Sequence, residues 1–213
     1  MRLFTDHLGY PWIQVDRSLS VSLLPITKYQ FEVYLSEPGG LSNSWYDELL
    51  AINPRCSWRD FEEGSREQLF MTGVFPAEAL QFAEWLGREY DLPTAAEWVR
   101  IDDAFRRLKG ALLTEKELLR IKLSPVALWL IKRLVRLSRI QSWHGMTLMR
   151  RGIMEWVHVG ERFGCHGAPR PNFWPVTHNP RIDPPQFPSK SNRRDKQCGF
   201  RLVHRVGPRA EES

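Results

Sequence analysis

The sequence has few cysteines, and their number is odd. Its 213 residues contain three, Cys56, Cys165 and Cys198, which are widely separated along the chain. Such spacing is not that of a small disulfide-stabilised domain, and an odd count leaves at least one thiol unpaired. We therefore expect reduced thiols in a cytoplasmic protein.

Long apolar runs are also missing. The most apolar stretch, Leu123–Leu137, is shorter than the roughly 18 residues needed to cross a bilayer, and Lys132, Arg133 and Arg136 interrupt it. The first residues carry Asp6 and lack the apolar core of a secretory leader. These absences predict a soluble protein without a membrane span.

The composition is that of a globular protein. Hydrophobic residues make up 42%, charged residues 26% and aromatic residues 12% of the chain. These proportions exclude a wholly disordered or collagen-like chain. The length suffices for one large domain or two small ones.

The charge is unevenly distributed along the chain. Residues 1–104 hold 8 basic and 17 acidic residues, whereas residues 105–213 hold 22 and 8. A basic half can bind nucleic acid or an acidic partner. Alternatively, the two halves pack together and neutralise one another. The sequence leaves both interpretations open.

Cap residues predict several short helices. Thr94 and Glu97 form a capping box, in which each side chain bonds the other residue's backbone N–H, so we predict a helix over 94–109. Thr27 with Gln30 predicts a second helix of about ten residues. Pro76 suits a first helical position, and that helix should end near Gly87.

Residues 110–140 predict a helical segment with two unlike faces. Capping signals at Thr114 and Ser124 open two runs within it. In the second run the apolar face comprises Leu123, Val126, Ala127, Leu130, Leu134 and Leu137, and the opposite face comprises Lys132, Arg133, Arg136 and Arg139. Leu128 and Trp129 flank the basic face, as expected if a partner, or a second layer of this protein, covers that side.

The C-terminal part is rich in proline and aromatic residues. Seven prolines between residues 169 and 188 exclude regular helix there, and three aromatic side chains among them indicate packing. A strand-like run, Gly199–His204, follows before a polar tail. Short helices, an irregular loop and a closing strand predict an α+β fold.

Blocks of sequence, in order, resemble the formylglycine-generating enzyme (sulfatase-modifying factor) family, whose members have a C-type-lectin-like fold. The central blocks are Gly73–Pro76, Trp85–Gly87 and Leu92–Trp98, and the flanking blocks are Pro25–Phe31, Gly152–Val157 and Gly199–Val203. The resemblance implies a single domain over residues 1–205 with a helical insertion at 110–140, and the polar residues 206–213 predict a disordered tail.

Active members of this family use two nearby late cysteines to bind copper and oxidise a substrate cysteine. The matching region of this chain has only Cys165, because Arg170 occupies the family's spacing to the second thiol. Paired soft thiolates select Cu(I), so the resemblance implies a non-catalytic member without a copper cofactor. Arg151-Gly152 replaces the family's Gly-Asn, which makes a structural calcium ion doubtful.

A zinc site is a rival interpretation of the histidines and cysteines in the C-terminal half. The ligand types, at His144, His158, Cys165, His166 and His178, suit zinc. Their spacing contains no close ligand pair except the adjacent Cys165 and His166, whose side chains diverge. We therefore predict no metal site and no catalytic residues.

A scaffold without catalysis predicts binding as the activity. The resemblance implies a regulatory or scaffolding subunit of a prokaryotic protein complex, in signalling or defence such as CRISPR-associated systems. We expect another protein to bind the 110–140 helices and the loop 163–190, through Trp129, Arg133, Arg136, Phe173, Trp174 and His178. The alternatives are a nucleic-acid-binding module that uses the basic half and a residual metal-dependent oxidase.

Overall fold

The computed structural model describes residues 3–37, 47–49, 51, 70–107, 120–138, 154–166, 181–187, 194–195 and 198–206. Residues 106 and 133–138 are described by their backbone alone. Within this part of the chain, no helix is both long enough and apolar enough to cross a membrane.

The protein is a mixed α+β structure, as the sequence predicted for its fold class, and its described residues form two sheets. Along the chain the elements are β1 (Leu3–Thr5), β2 (Pro11–Gln14), β3 (Leu19–Ser22), α1 (Lys28–Ser36), α2 (Pro76–Leu86), β4 (Tyr90–Asp91), α3 (Ala95–Arg107), α4 (Pro125–Ser138), β5 (Met154–Val159), β6 (Arg162–His166), β7 (Cys198–Gly199) and β8 (Val203–Arg205). A five-stranded sheet has the order β1-β2-β3-β8-β4, and a three-stranded sheet has the order β6-β5-β7. Only the β5–β7 pair is parallel among these pairings.

The predicted helix starts are confirmed. Thr27 caps α1 through its hydroxyl oxygen, which accepts from the backbone N–H of Gln30, while the Gln30 side chain accepts from the Thr27 N–H. Thr94 and Glu97 make the same reciprocal pair at the start of α3. These bonds satisfy backbone donors that have no partner inside a helix.

Helices α2 and α4 also begin where their prolines predicted. Pro76 is the first residue of α2, and the Ser124 hydroxyl accepts from the backbone N–H of Ala127 in α4. The start of α4 is held against the β1–β2 connection, where the Ser124 N–H donates to the Gly9 carbonyl at 2.9 Å. A Cβ on Gly9 would lie 2.6 Å from the Ser124 nitrogen, so this contact requires glycine.

The predicted closing strand Gly199–His204 is divided. Cys198–Gly199 joins the three-stranded sheet, whereas Val203–Arg205 joins the five-stranded sheet. The chain between them, Phe200–Leu202, is buried and passes from one sheet to the other. Val206, the first residue of the predicted tail, donates its N–H to the Ser18 carbonyl at 3.0 Å, and residues 207–213 lie outside the described residues.

Two apolar clusters fill the core. The first packs α3 and α4 against the five-stranded sheet through Trp98, Ile101, Phe105, Ala127, Leu130 and Ile131, among others. The second surrounds the aromatic side chains Trp12, Phe31, Phe82, Trp156 and Phe200. Large aromatic residues thus supply much of the buried apolar surface in a fold with short strands.

A fully buried ion pair joins the two sheets. Arg201 donates from Nε and Nη2 to the two carboxylate oxygens of Glu155 at 2.9 and 3.0 Å, and neither side chain is exposed to solvent. Arg201 Nη1 also donates to the carbonyls of Ser22 and Leu23. Burial raises the pKa of Glu155, and the guanidinium of Arg201 opposes that shift.

We expect Glu155→Gln to reduce the free energy of unfolding by about 3–5 kcal/mol, because it leaves the Arg201 guanidinium buried without a counter-charge. Urea denaturation at neutral pH measures this change. The matched control is Glu84→Gln on the exposed side of α2, where we expect a change within about 0.5 kcal/mol. Equal stability of the two variants would contradict the assigned role of the pair.

Candidate functional site

Two cysteines that are distant in sequence meet across the three-stranded sheet. The Sγ atoms of Cys165 in β6 and Cys198 in β7 lie 2.50 Å apart and form a disulfide. The two strands flank β5, so the disulfide passes over that central strand. Both residues are fully buried.

The expectation of separate reduced thiols is therefore wrong for these two cysteines. Their 33-residue separation gave no signal of pairing, because the contact depends on β6 and β7 lying on opposite sides of β5. Cys56 lies outside the described residues.

The segment Arg181–Phe187, hereafter the edge segment, runs beside the outer strand β6. Gln186 and Cys165 exchange two backbone hydrogen bonds, each 2.8 Å long. Gly164 permits this close approach, because a Cβ at that position would lie 3.0 Å from the Cβ of Pro185. The edge segment lies within the loop 163–190 that the sequence indicated as a binding region.

The edge segment exposes two large apolar side chains. Ile182 is 76% exposed and Phe187 is 45% exposed. Among the described residues only two other large apolar side chains are exposed, Tyr29 and Val206. The guanidinium of Arg162 in β6 lies 4.4 Å from the Phe187 ring centre, a cation–π contact.

The predicted partner-binding residues have different outcomes. Trp129 is half-buried and packs against the first core cluster, as does Leu128, so the core of this protein contacts both. Arg133 and Arg136 lie in the C-terminal part of α4, residues 133–138, for which only the backbone is described. The remaining predicted residues, Phe173, Trp174 and His178, lie outside the described part of the chain, and their role stays a prediction.

Arginines of the basic half pair with carboxylates of the acidic half. Arg194 donates to both oxygens of Glu78 at 2.7 Å each. The guanidinium of Arg181, at the start of the edge segment, pairs with Asp103 in α3. These contacts agree with the interpretation that the two halves neutralise one another.

Three ionisable side chains are connected to Arg205 in β8. Its Nε and Nη2 donate to the two Glu97 oxygens at 2.8 Å each, and its Nη1 donates to Asp91 at 2.8 Å. Nε2 of His158 lies 3.2 Å from the other Asp91 oxygen. We call these four residues the Arg205 network.

The Arg205 network lowers the pKa of both carboxylates. Burial alone would raise the pKa of Asp91, but hydrogen bonds from His158 and Arg205 outweigh it and hold the pKa well below its ordinary value of 3.8. The pKa of Glu97 is likewise lowered from 4.5, because Arg205 and the Thr94 backbone stabilise the charged form against the effect of burial.

Of the five candidate zinc ligands, the described part of the chain contains His158, Cys165 and His166. Among the described residues, no three His, Cys, Asp or Glu side chains converge as metal ligands would. The His158 ring contacts Asp91 and the Phe163 ring rather than Cys165. His144 and His178 lie outside the described residues.

An open groove of about 800 Å³ runs along the exposed side of α2 and past β4. Its lining contains apolar, polar and charged side chains, namely those of Ala77, Leu80, Gln81, Glu84, Arg88, Glu89, Tyr90 and Asp91. Trp129, the one predicted partner-binding residue whose side chain is described, is not among these lining residues. The edge segment is therefore the surface on which the sequence prediction and the exposed apolar side chains coincide.

Comparisons with known protein families, with curated proteins and with solved structures give no match to this chain.

The Arg205 network predicts a loss of stability in acid. A carboxylate whose pKa is lowered by folding contributes stability above its unfolded pKa, and that contribution disappears as the pH falls through the folded value. The free energy of unfolding should therefore fall below about pH 4. We expect Arg205→Gln to lower it by roughly 2–3 kcal/mol at neutral pH and to flatten its dependence on acid pH. Urea denaturation between about pH 2 and pH 7 measures both effects.

Arg100→Gln is the matched control, because Arg100 pairs with Asp16 where both side chains are substantially exposed. It should change stability much less, since exposed pairs are screened by solvent. An unchanged acid dependence in Arg205→Gln would contradict the assignment.

Proposed function

We propose that this chain is a non-catalytic binding module that docks another protein through its edge segment. It would act as a regulatory or scaffolding subunit of a prokaryotic complex, in signalling or in defence such as CRISPR-associated systems. The proposal includes a formylglycine-generating-enzyme-like (C-type-lectin-like) scaffold, which the order of the sequence blocks supports. The observation that carries the proposal is the exposure of Ile182 and Phe187 on a segment whose backbone is held in place.

The edge segment is constrained before any partner arrives. Gln186 is hydrogen-bonded to β6, and Pro184 and Pro185 restrict the backbone just before it. At the other end, the ion pair between Arg181 and Asp103 joins the segment to α3. Binding to such a segment costs little ordering entropy, so its apolar contacts contribute more fully to affinity.

The chemistry of the exposed side chains suits a protein partner. Apolar side chains in the centre of an interface contribute most of the binding energy, and arginines commonly surround them. Ile182 and Phe187 supply the apolar part, and Arg162 lies against Phe187. The described arginines of the edge segment and β8 already pair with carboxylates, which favours an apolar contact over phosphate binding.

We expect the double substitution Ile182→Glu with Phe187→Glu to abolish partner capture. The measurement is affinity purification of the tagged full-length chain from its source cells, with mass spectrometry of bound proteins. Capture should fall at least about tenfold, because charges placed in an apolar contact must be desolvated. Circular dichroism checks that both proteins are folded.

Val206→Glu is the matched control, because Val206 is 62% exposed but lies outside the edge segment. It should capture the same partner as the unaltered chain. Undiminished capture by the double variant would contradict the proposed docking surface.

A second candidate, a residual metal-dependent oxidase, gains support from the contact between Cys165 and Cys198. Once reduced, the two thiolates would supply the soft ligand pair that selects Cu(I), a pair that the sequence did not predict. Bound copper would supply the oxidation chemistry. Against catalysis, both cysteines are fully buried, so a substrate thiol has no direct access to them.

This second candidate predicts one Cu(I) per chain in reduced protein, measured by elemental analysis after gel filtration. Cys165→Ser and Cys198→Ser should each lose the copper, whereas Cys56→Ser should keep it, because Cys56 is not part of the pair. Reduced protein that retains no copper would rule this candidate out.

A further inference from the structure

Cys165 connects the edge segment to the core by two separate routes. Its backbone N–H and carbonyl both bond Gln186, and its side chain bonds Cys198. On the other side of β6, Cys165 faces Trp156 of β5. One residue therefore joins the proposed docking surface to the disulfide.

Cys198 forms the fixed end of this connection. Its carbonyl accepts from the Gly73 N–H at 2.9 Å, and its strand pairs with β5 at Met154. The next residue, Gly199, forms a bridge with Thr72 just before α2. Strand β7 pairs with β5 over two residues and is also tied to Gly73 and Thr72, whereas β6, at the opposite edge of the sheet, is joined to β5 and to the edge segment.

The edge segment depends mainly on β6 for its position. Three described contacts join the two: Gln186 with Cys165, Pro185 with Gly164, and Phe187 with Arg162. Increased mobility of β6 would therefore increase the mobility of the edge segment as well. The ion pair of Arg181 with Asp103 would remain at the far end.

We infer that Cys165 and Cys198 are a reversible dithiol–disulfide pair whose oxidation state sets the order of the edge segment. The oxidation state would thereby regulate the docking surface, a role that rests on the proposed function. With the disulfide formed, β6 is linked covalently to β7 and the segment is held. With the disulfide reduced, β6 keeps its pairing with β5 but loses its covalent link to β7, and the edge segment gains mobility.

The chemistry is thiol–disulfide exchange with a small-molecule disulfide. The two cysteine thiols lose two protons and two electrons as the Sγ–Sγ bond forms, and the reagent disulfide takes them up to give two small thiols. A small dithiol reverses the reaction. Because both cysteines are buried, exchange requires a transient local opening of the structure around them.

The experiment uses metal-free full-length protein, prepared with a chelator, in two states. One sample is equilibrated with a small-molecule disulfide and the other with a dithiol. Alkylation and mass spectrometry of peptides report on each cysteine, and we expect Cys165 and Cys198 to be alkylated only in the reduced sample. NMR relaxation then gives backbone order parameters for Gln186 and Phe187, with Ile13 and Val21 in β2 and β3 as internal references.

We expect the order parameters of Gln186 and Phe187 to fall from about 0.85 to below about 0.6 on reduction, while those of Ile13 and Val21 stay near 0.85. Cys198→Ser should show the lower values under both conditions. Cys56→Ser should respond like the unaltered chain. If Cys198→Ser does not fold, the comparison of the two states of the unaltered chain is sufficient.

Three results would overturn the inference. The first is alkylation of Cys165 and Cys198 that does not change between the two conditions. The second is an edge segment that stays rigid after reduction, and the third is loss of the folded spectrum as a whole, which would make the disulfide a general support of the fold. The order parameters need no partner, so failed docking by the edge segment and failed redox control are separate outcomes.

Discussion

The buried pair of Glu155 and Arg201 is the interaction on which the two-sheet structure depends. Glu155 belongs to β5 of the three-stranded sheet, while Arg201 lies on the chain that leads from β7 to the five-stranded sheet. Arg201 also bonds the carbonyls at the end of β3. Because neither charge has access to water, each is tolerated only in the presence of the other, and the sheets are held in one arrangement.

Other arginine–carboxylate pairs reduce the charge difference between the acidic and the basic half of the chain. Glu78, Asp91, Glu97 and Asp103 all belong to the acidic half, and each meets an arginine from the basic half. Net charges counted along the sequence therefore overstate the free basic surface of the described residues. An apolar docking surface agrees better with this distribution than a phosphate-binding one.

The candidate site combines a predicted region with contacts that were not predicted. The loop 163–190 was expected to bind a partner, and the edge segment within it exposes Ile182 and Phe187. The disulfide behind it was not expected, since neither cysteine has a neighbouring cysteine in sequence. Sheet order alone brings Cys165 and Cys198 together.

The sequence by itself determined the helix starts and the mixed α+β class, because a capping pair such as Thr94 with Glu97 acts within four residues. Such local bonds need no knowledge of the remaining chain. Only the tertiary structure decided that the closing run divides between two sheets, that Trp129 packs on the core and that the two cysteines are paired. Those outcomes depend on strand order and on which charges are desolvated together, and both are set by residues far apart in sequence.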